Sequence, residues 1–183
     1  MRNLKNNIVL IGMPGVGKST IGVILAKILG YKFIDTDLVI QDKEKMLLRD
    51  IIAEQGIDGF IETENRINAA LKAANSVIAT GGSVVYGSDA MQNLSDIGTV
   101  IYLKLDYGRL KYRLGNIKNR GVVIRDGQRL SELYKERIPL YEKYADIIID
   151  ENGYNIEKTI NNILAELEKN DVNVAQRTSD EKH

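Results

Sequence analysis

Short apolar runs alternate with stretches of helical periodicity along most of the chain. Runs rich in β-branched residues at 6–12, 76–80 and 99–105 have the character of buried strands, and shorter runs occur at 31–37 and 146–150. The stretches between them repeat apolar residues every three or four positions, as amphipathic helices do. Strands that alternate with helices predict an α/β fold, in which helices cover both faces of a parallel sheet.

Glycine and acidic residues follow three of the predicted strands. The first strand runs into GMPGVGKST at 12–20, the second into Asp35 and Asp37, and the third into Gly81 and Gly82. Ligands of parallel sheets bind at the carboxyl ends of the strands. We therefore expect these residues to converge on one edge of the sheet.

Residues 12–20 fit the pattern G-x-x-x-x-G-K-[ST], placed between a strand and a helix as a phosphate loop requires. Glycines allow unusual φ values and a close approach of backbone N–H groups to an anion, and the first N–H groups of the helix are unpaired. Lys18 offers charge to the outer phosphates, and the Ser19 hydroxyl can ligate Mg²⁺. The predicted nucleotide-binding residues are Gly15, Val16, Gly17, Lys18, Ser19 and Thr20.

Asp35 and Asp37 are predicted to share one face of an extended chain. One carboxylate could hold the water shell of Mg²⁺, and the other could accept the proton of an attacking hydroxyl. The alternative is an acidic turn that caps the next helix, because aspartate favours such positions.

The segment 116–128 has no clear periodicity and is rich in charge and glycine. Lys118, Arg120 and Arg125 are candidates for positive charges that reach the γ-phosphate if this loop closes over ATP. The alternative is an ordinary solvated loop.

The predicted helix that follows carries Arg137, which could hold a carboxylate of an acceptor or could lie in solvent. Tyr141 lies one helical turn further, on the same face. Together with Tyr134 and Tyr144, it is predicted to pack with its hydroxyl in water.

Composition narrows the chemistry. The 183 residues include 25 basic and 25 acidic ones, so no broad field favours nucleic acid or membrane. There is no cysteine, and the only histidine is His183, so a general base must be a carboxylate, lysine or tyrosine. No segment approaches the ~20 apolar residues of a membrane span. We expect a cytoplasmic monomer with a single domain at 1–170 and a disordered polar tail at 171–183.

The combination of motifs resembles the shikimate kinase family over about residues 7–168. The resemblance implies a P-loop NTPase fold, a three-layer α/β/α arrangement with a five-stranded parallel sheet in the order 2-3-1-4-5 and a mobile lid at about 116–128. It also implies that ATP and Mg²⁺ are used to phosphorylate shikimate, a step of aromatic amino-acid biosynthesis. The motifs that carry it are GMPGVGKST at 12–20, FIDTD at 33–37, ATGGS at 79–83, YLKL at 102–105 and ERIPLYEKYAD at 136–146.

On the nucleotide side, the resemblance gives Lys18 and Ser19 to the phosphates and Mg²⁺, and it places Asp35 near the metal. Arg113 would lie against adenine, and Arg120 would be the lid arginine that reaches the transferring phosphate.

Asp37 would bind the acceptor hydroxyl and act as the base. Gly81 and Gly82 would let the acceptor approach backbone N–H groups, and Arg137 would hold its carboxylate. These roles are implied by the resemblance and do not follow from the spacing alone.

The chain departs from the family pattern at the acceptor site. Ile61 stands where the family carries an arginine for the shikimate carboxylate, Ser83 replaces a third glycine, and the usual Arg-Pro of the lid reads Arg120-Gly121. Arg66 cannot replace the missing charge, because it lies about 140° round the helix from Ile61. Shikimate held by Arg137 and another basic residue therefore stands beside a different small hydroxy acid, sugar acid or amino-acid alcohol. A nucleotide-dependent regulatory module is a third hypothesis.

Overall fold

One five-stranded sheet organises the computed structural model, which describes residues 5–115, 122–153 and 155–170. The strands are β1 Asn7–Ile11, β2 Lys32–Asp35, β3 Ser76–Ala79, β4 Gly98–Lys104 and β5 Ile147–Asp150. They lie in the order β2-β3-β1-β4-β5 with every neighbouring pair parallel, which confirms the predicted sheet. The predicted tail at 171–183 and residues 116–121 of the predicted lid lie outside the described residues.

The connections between the strands are helical, as the alternating pattern predicts. Parallel neighbours cannot be joined by a tight hairpin, so each connection crosses over one face of the sheet. The helices are α1 Lys18–Leu29, α2 Thr36–Glu44, α3 Leu48–Ala69, α4 Ser88–Ile97, α5 Tyr107–Leu114, α6 Leu130–Tyr144 and α7 Ile156–Lys169, with a 3₁₀ turn at Val84–Tyr86.

The central strand β1 is buried on both faces. Its residues Ile8, Val9, Leu10 and Ile11 are at most 1% exposed, because helices cover the sheet from both sides. A continuous apolar run is the pattern expected of such a strand. The glycine-rich loop that follows β1 therefore begins at a fixed place at the carboxyl edge of the sheet.

The acidic pair after β2 differs from the extended form predicted for it. The strand ends at Asp35, and Thr36 already begins α2. Asp35 Oδ1 accepts a hydrogen bond of 3.0 Å from the backbone N–H of Asp37, so Asp35 caps the helix. The prediction that both side chains share a strand face is wrong, because the capping bond turns the chain into a helix between them.

The helical region after β2 is divided at a place that the sequence pattern did not indicate. The first helix of this region, α2, ends at Glu44, with Lys45 in the left-handed region at φ 55°. Lysine is uncommon in that conformation, which explains why no local signal marked the break. Gly56 interrupts the helical path a second time, since its φ of 72° and ψ of 178° kink α3.

The buried side chain of Asn7 joins three segments at the amino end of the sheet. Its amide nitrogen donates to the carbonyl oxygens of Ala73 at 2.9 Å and Ile97 at 2.8 Å. Its amide oxygen accepts from the N–H of Ser76 at 3.0 Å. One side chain therefore satisfies backbone groups before β3 and β4, where the loops enter the sheet.

We expect Asn7→Ala to lower the free energy of unfolding by about 2–4 kcal/mol, because it leaves buried backbone groups without partners. Urea unfolding followed by circular dichroism measures this change. Asn6→Ala, at the half-buried neighbouring position, is the control and should shift the midpoint little. Equal midpoints for the Asn7 variant and the unmodified protein would contradict the assigned role.

Candidate functional site

The loop between β1 and α1 has the backbone form that the motif predicts. Gly15 and Gly17 have φ values of 81° and 107°, in the left-handed region that side chains disfavour. A Cβ atom at Gly12 would lie 2.7 Å from the carbonyl oxygen of Leu103, so the loop packs closely against the end of β4. In the described part of the chain no side chain caps α1 at Lys18, which leaves the first amides of the helix free for an anion.

Lys18 is buried beneath this loop. Its Nζ donates to the carbonyl oxygens of Gly12 at 2.8 Å and Met13 at 2.9 Å. Burial lowers the pKa of Lys18 to about 8, and the negative charge of Asp37 opposes this change. The ammonium group is therefore still largely charged at neutral pH, and it can exchange two carbonyl partners for phosphate oxygens.

The two predicted metal ligands lie together at the start of α1. The Ser19 hydroxyl donates to Asp35 Oδ2 at 3.1 Å. Oxygen ligands suit Mg²⁺, which usually retains several waters and takes further ligands from substrate phosphates. Within the ranges that the structure describes, no group of three histidine or acidic side chains could hold a metal. The pair thus fits an ion that is shared with a nucleotide.

Asp37 lies in the first turn of α2 and faces the glycine pair. A Cβ atom at Gly81 would lie 2.9 Å from Asp37 Oδ1. Burial raises the pKa of Asp37, the neighbouring charge of Asp35 raises it further, and Lys18 opposes both. A raised pKa makes this carboxylate a stronger base, which is the property that proton removal from an alcohol requires.

Glu64 is a second acid at the same place, and the sequence analysis did not identify it. The side chain is 1% exposed, and its Oε2 accepts a hydrogen bond of 2.5 Å from the Ser83 hydroxyl. Its Oε1 has no hydrogen-bond partner among the described residues and would lie 2.5 Å from a Cβ atom at Gly81. Burial raises the pKa of Glu64 to about 7, opposed mainly by the Ser83 hydrogen bond.

The signal that could have found Glu64 lies in the periodicity of α3. Phe60, Glu64, Ile67 and Asn68 are all buried and share one face at intervals of three or four residues. An acid on an otherwise buried face needs a partner or a ligand. The sequence alone did not bring Ser83 beside it, because the two residues are joined only by the fold.

Arg137 is buried at 1% exposure and is held from three sides. Its Nη2 donates to the carbonyl oxygen of Val123 at 2.7 Å, its Nε donates to the Tyr86 hydroxyl at 3.3 Å, and its guanidinium lies over the Tyr86 ring. Its Nη1 has no partner in the part of the chain described, and it would lie 3.1 Å from a Cβ atom at Gly82. One N–H edge is therefore left for a ligand beside the glycine pair.

Tyr141 fixes the backbone of that pair. Its hydroxyl donates to the carbonyl oxygen of Gly82 at 2.6 Å, and its ring stacks on Tyr102 with centroids 5.1 Å apart. The hydroxyl is buried, and the hydroxyl of Tyr134 likewise donates to the carbonyl oxygen of Leu105 at 3.0 Å. The prediction of a hydroxyl in water is wrong for Tyr141, because the side chain is buried and the carbonyl oxygen of Gly82 takes the hydroxyl as its partner.

A cavity of about 390 Å³ brings the two groups of residues together. It extends from the phosphate loop past Asp37 and the glycine pair to Arg137. Residues from both the predicted nucleotide group and the predicted acceptor group therefore line one continuous space. Its lining residues are Pro14, Gly15, Gly17, Lys18, Ser19, Thr20, Asp37, Leu48, Phe60, Thr80, Gly81, Gly82, Ser83, Val123 and Arg137.

The described part of the predicted lid borders this cavity. Val123 lines the cavity wall, while Arg125 forms an exposed two-point ion pair with Asp58, with N···O distances of 2.6 and 3.3 Å. Arg125 is thus bound to α3 and is not directed at a phosphate in this structure. Lys118 and Arg120 lie outside the described residues, so their predicted roles remain predictions.

A second cavity of about 200 Å³ adjoins the first and shares Gly17 and Thr20 with it. Arg113 borders it from α5, and its Nη1 donates to the carbonyl oxygen of Val16 at 3.0 Å. Arg113, which the sequence analysis placed near adenine, is therefore adjacent to the phosphate loop. Phosphates, base and acceptor can occupy connected spaces at one edge of the sheet.

A phosphate loop, a paired serine and aspartate, and a buried carboxylate facing an acceptor cavity define a P-loop kinase of small molecules. A sequence model of the family described as Shikimate kinase matches residues 14–168. The chain therefore belongs to the shikimate kinase family. None of the helices in the described ranges is long and apolar enough to cross a membrane.

Individual relatives agree with the family match. The chain is 36% identical over 166 residues to a shikimate kinase of Thermodesulfovibrio yellowstonii, covering 89% of this chain and 95% of the relative. It is 40% identical over 155 residues to one of Clostridium botulinum, covering 80% and 88%. The structure of a shikimate kinase from Acinetobacter baumannii in complex with shikimate superimposes with a TM-score of 0.79 at 31% identity, covering 90% and 93%.

The raised pKa of Glu64 makes stability depend on pH in a definite direction. The pKa of Glu64 in the folded protein, about 7, exceeds its ordinary value of 4.5. The stability that Glu64 contributes is therefore present below pH 4.5 and is lost as pH rises through 7. Glu64→Gln removes this dependence. The free energy of unfolding of the variant minus that of the unmodified protein should therefore increase by about 2 kcal/mol from pH 5 to pH 8.

Urea titrations at several pH values test this expectation. Glu62→Gln removes an exposed acid from the same helix and should show no comparable gain. A constant difference between Glu64→Gln and the unmodified protein across this pH range would show that Glu64 titrates normally.

Proposed function

We propose that the protein transfers the γ-phosphate of ATP to a hydroxyl of shikimate, giving shikimate 3-phosphate in the biosynthesis of aromatic amino acids. The observation that carries the proposal is the single cavity that joins Lys18 on the phosphate loop to Asp37, the glycine pair and Arg137. Family membership supports the acceptor class. We further propose that the enzyme works as a cytoplasmic monomer without a nucleic-acid or membrane partner.

Asp37 takes the proton of the attacking hydroxyl. The carboxylate of Asp37 lies beside Gly81, and the raised pKa of Asp37 increases its basicity. Lys18 leaves its two carbonyl partners and holds the outer phosphates, so that positive charge faces the group being transferred. Ser19 and Asp35 would hold Mg²⁺, which neutralises phosphate charge when it is bound. Arg120 would add a further cation when the lid closes.

Arg137 binds the carboxylate of the acceptor through its free Nη1 edge. This guanidinium is already fixed by Val123 and Tyr86, so little side-chain freedom is lost when a ligand arrives. Gly81 and Gly82 leave room because a side chain there would collide with Glu64, Asp37 or Pro14. A ring acid with neighbouring hydroxyls suits this combination of one cation, two acids and glycine backbone without side chains.

The protonation of Glu64 affects which acceptor charge the site can bind. Arg137 and Lys18 lower the pKa of Glu64 through their positive charge, but burial outweighs both. An anionic acceptor is therefore bound most readily while Glu64 carries a proton and can donate a hydrogen bond. The same observation favours the alternative of a less negative hydroxy compound, because an ionised Glu64 would repel a carboxylate.

The first experiment is an ADP-release assay over shikimate and other small hydroxy acids, sugar acids and amino-acid alcohols. Shikimate should give the highest kcat/KM. Asp37→Asn should lower kcat by at least about 100-fold while ATP affinity stays near normal, because general-base catalysis contributes about 10²–10⁴-fold. Lys18→Ala should nearly abolish kcat because it removes a charge from the phosphates.

Glu62→Gln is the matched control for the loss of an acid and should turn over normally. Normal turnover by Asp37→Asn would overturn the assignment of the base. Tight ATP binding without turnover of any acceptor would instead favour the regulatory module.

Ile61→Arg tests how the acceptor charge is recognised. Position 61 lies three residues before Glu64, on the same face of α3, so an arginine there could pair with Glu64 and add charge to the acceptor site. We expect the KM for shikimate to fall by roughly tenfold or more, since a buried charge partner commonly contributes 2 kcal/mol or more. Steady-state kinetics at saturating ATP measure the change.

Glu62→Arg introduces the same side chain at the next, exposed position and should leave this KM unchanged. An unchanged KM in Ile61→Arg would show that position 61 does not act on the acceptor.

A further inference from the structure

Glu151 is a buried acid that the proposed transfer does not use. It follows the last residue of β5 and is 2% exposed. Its backbone N–H donates to the carbonyl oxygen of Lys104 at 2.8 Å, which fixes its position against β4. A residue at the carboxyl edge of the sheet is placed where ligands of parallel sheets bind.

One carboxylate oxygen of Glu151 is available to a ligand. The Thr159 hydroxyl hydrogen-bonds to the side chain, but Oε2 has no hydrogen-bond partner in residues 5–115, 122–153 and 155–170. Arg113 Nη1 forms an ion pair with Oε2 at 3.6 Å, which is beyond hydrogen-bond distance, and it donates its hydrogen bond to the carbonyl oxygen of Val16. Buried carboxylate oxygens normally have partners, so this one points to a donor that arrives with a ligand.

Glu151 lines the smaller cavity, which begins where the phosphate cavity ends. Both cavities share Gly17 and Thr20 at the start of α1. A nucleotide whose phosphates lie on the loop can therefore extend its base into the smaller cavity. Ile21 and Ile156 give that cavity apolar surface for a ring, and Ile156 is half exposed in the free protein.

We propose that Glu151 selects the nucleobase by accepting a hydrogen bond on Oε2 from the 6-amino group of adenine. Adenine presents a donor at this position, whereas guanine and hypoxanthine present an oxygen that a carboxylate repels. Glu151 therefore sets the preference for ATP over 6-oxopurine triphosphates. The inference deepens the proposed function, since it rests on the nucleotide site, but it does not depend on which acceptor is used.

The protonation of Glu151 gives the selection a pH dependence. Burial raises the pKa of Glu151 to about 7, opposed by Arg113 on α5, Thr159 on α7 and Lys18 on α1. Above this pH the group is a carboxylate and only accepts, whereas below it the protonated acid can donate to a 6-oxo group. The preference for ATP over inosine triphosphate should therefore increase from pH 6 to pH 8.

The test measures the affinity of the whole protein for ATP, inosine triphosphate, guanosine triphosphate and purine riboside triphosphate by calorimetry without acceptor. The unmodified protein should prefer ATP to the other three by about tenfold or more at pH 8. In Glu151→Gln, whose amide can also donate, the ratio of ATP to inosine triphosphate affinity should fall to about threefold or less. Glu157→Gln, an exposed acid in the first turn of α7, should leave this ratio unchanged.

Three results would overturn the inference. They are an unchanged ratio in Glu151→Gln, an equal loss of affinity for all four nucleotides, and a preference of the unmodified protein for guanosine triphosphate. The pH series on the unmodified protein tests the same contact even if the variant does not fold, and a flat ratio would count against it. Base selectivity without turnover of shikimate would contradict the proposed function but would still support the inference about Glu151.

Discussion

The burial of opposite charges at one edge of the sheet is the constraint on which this molecule depends. Lys18, Arg137 and Glu64 are each less than one tenth exposed, and Asp37 interacts electrostatically with Lys18. Burial lowers the pKa of Lys18 and raises that of Glu64, so both groups are moved towards neutrality. A bound anionic ligand favours the charged forms of Lys18 and Arg137. The cavity is therefore arranged for phosphate and carboxylate before either arrives.

The fold was predictable because its signals are local. Continuous apolar runs mark strands that are buried on both faces, and the phosphate-loop motif lies between one such run and a helix. The features that the sequence pattern did not indicate are those where the backbone conformation of one residue sets the course of the chain. Lys45 ends α2 in the left-handed region, and Asp35 caps that helix where an extended chain was predicted. Neither conformation leaves a periodic trace in the sequence.

The acceptor site was less predictable because its partners are distant along the chain. Ile61 and Ser83 were two separate departures from the family pattern, and both positions can be related to the same acid. Ser83 donates to Glu64, and position 61 lies on the helix face of Glu64. A hydroxyl can satisfy one oxygen of this acid without adding the charge that an arginine would bring. The two departures are therefore consistent with a single change, from an ionised acid with a cation to a neutral acid with a hydroxyl partner.

The two ends of the site are built in the same way. Glu64 and Glu151 are buried acids whose burial raises the pKa to about 7, and each has one oxygen without a partner within the described ranges. Arg137 and Arg113 lie near them, Arg113 as an ion-pair partner of Glu151, but both donate their hydrogen bonds to backbone carbonyls. If each acid had been satisfied by its arginine, neither end would retain an atom for recognition. Leaving one oxygen of each acid without a hydrogen-bond donor destabilises the free protein, and a ligand that supplies the missing donors recovers that free energy as selectivity. The phosphate loop between them holds any nucleoside triphosphate, so the acids at its two sides are what distinguish one base and one acceptor from another.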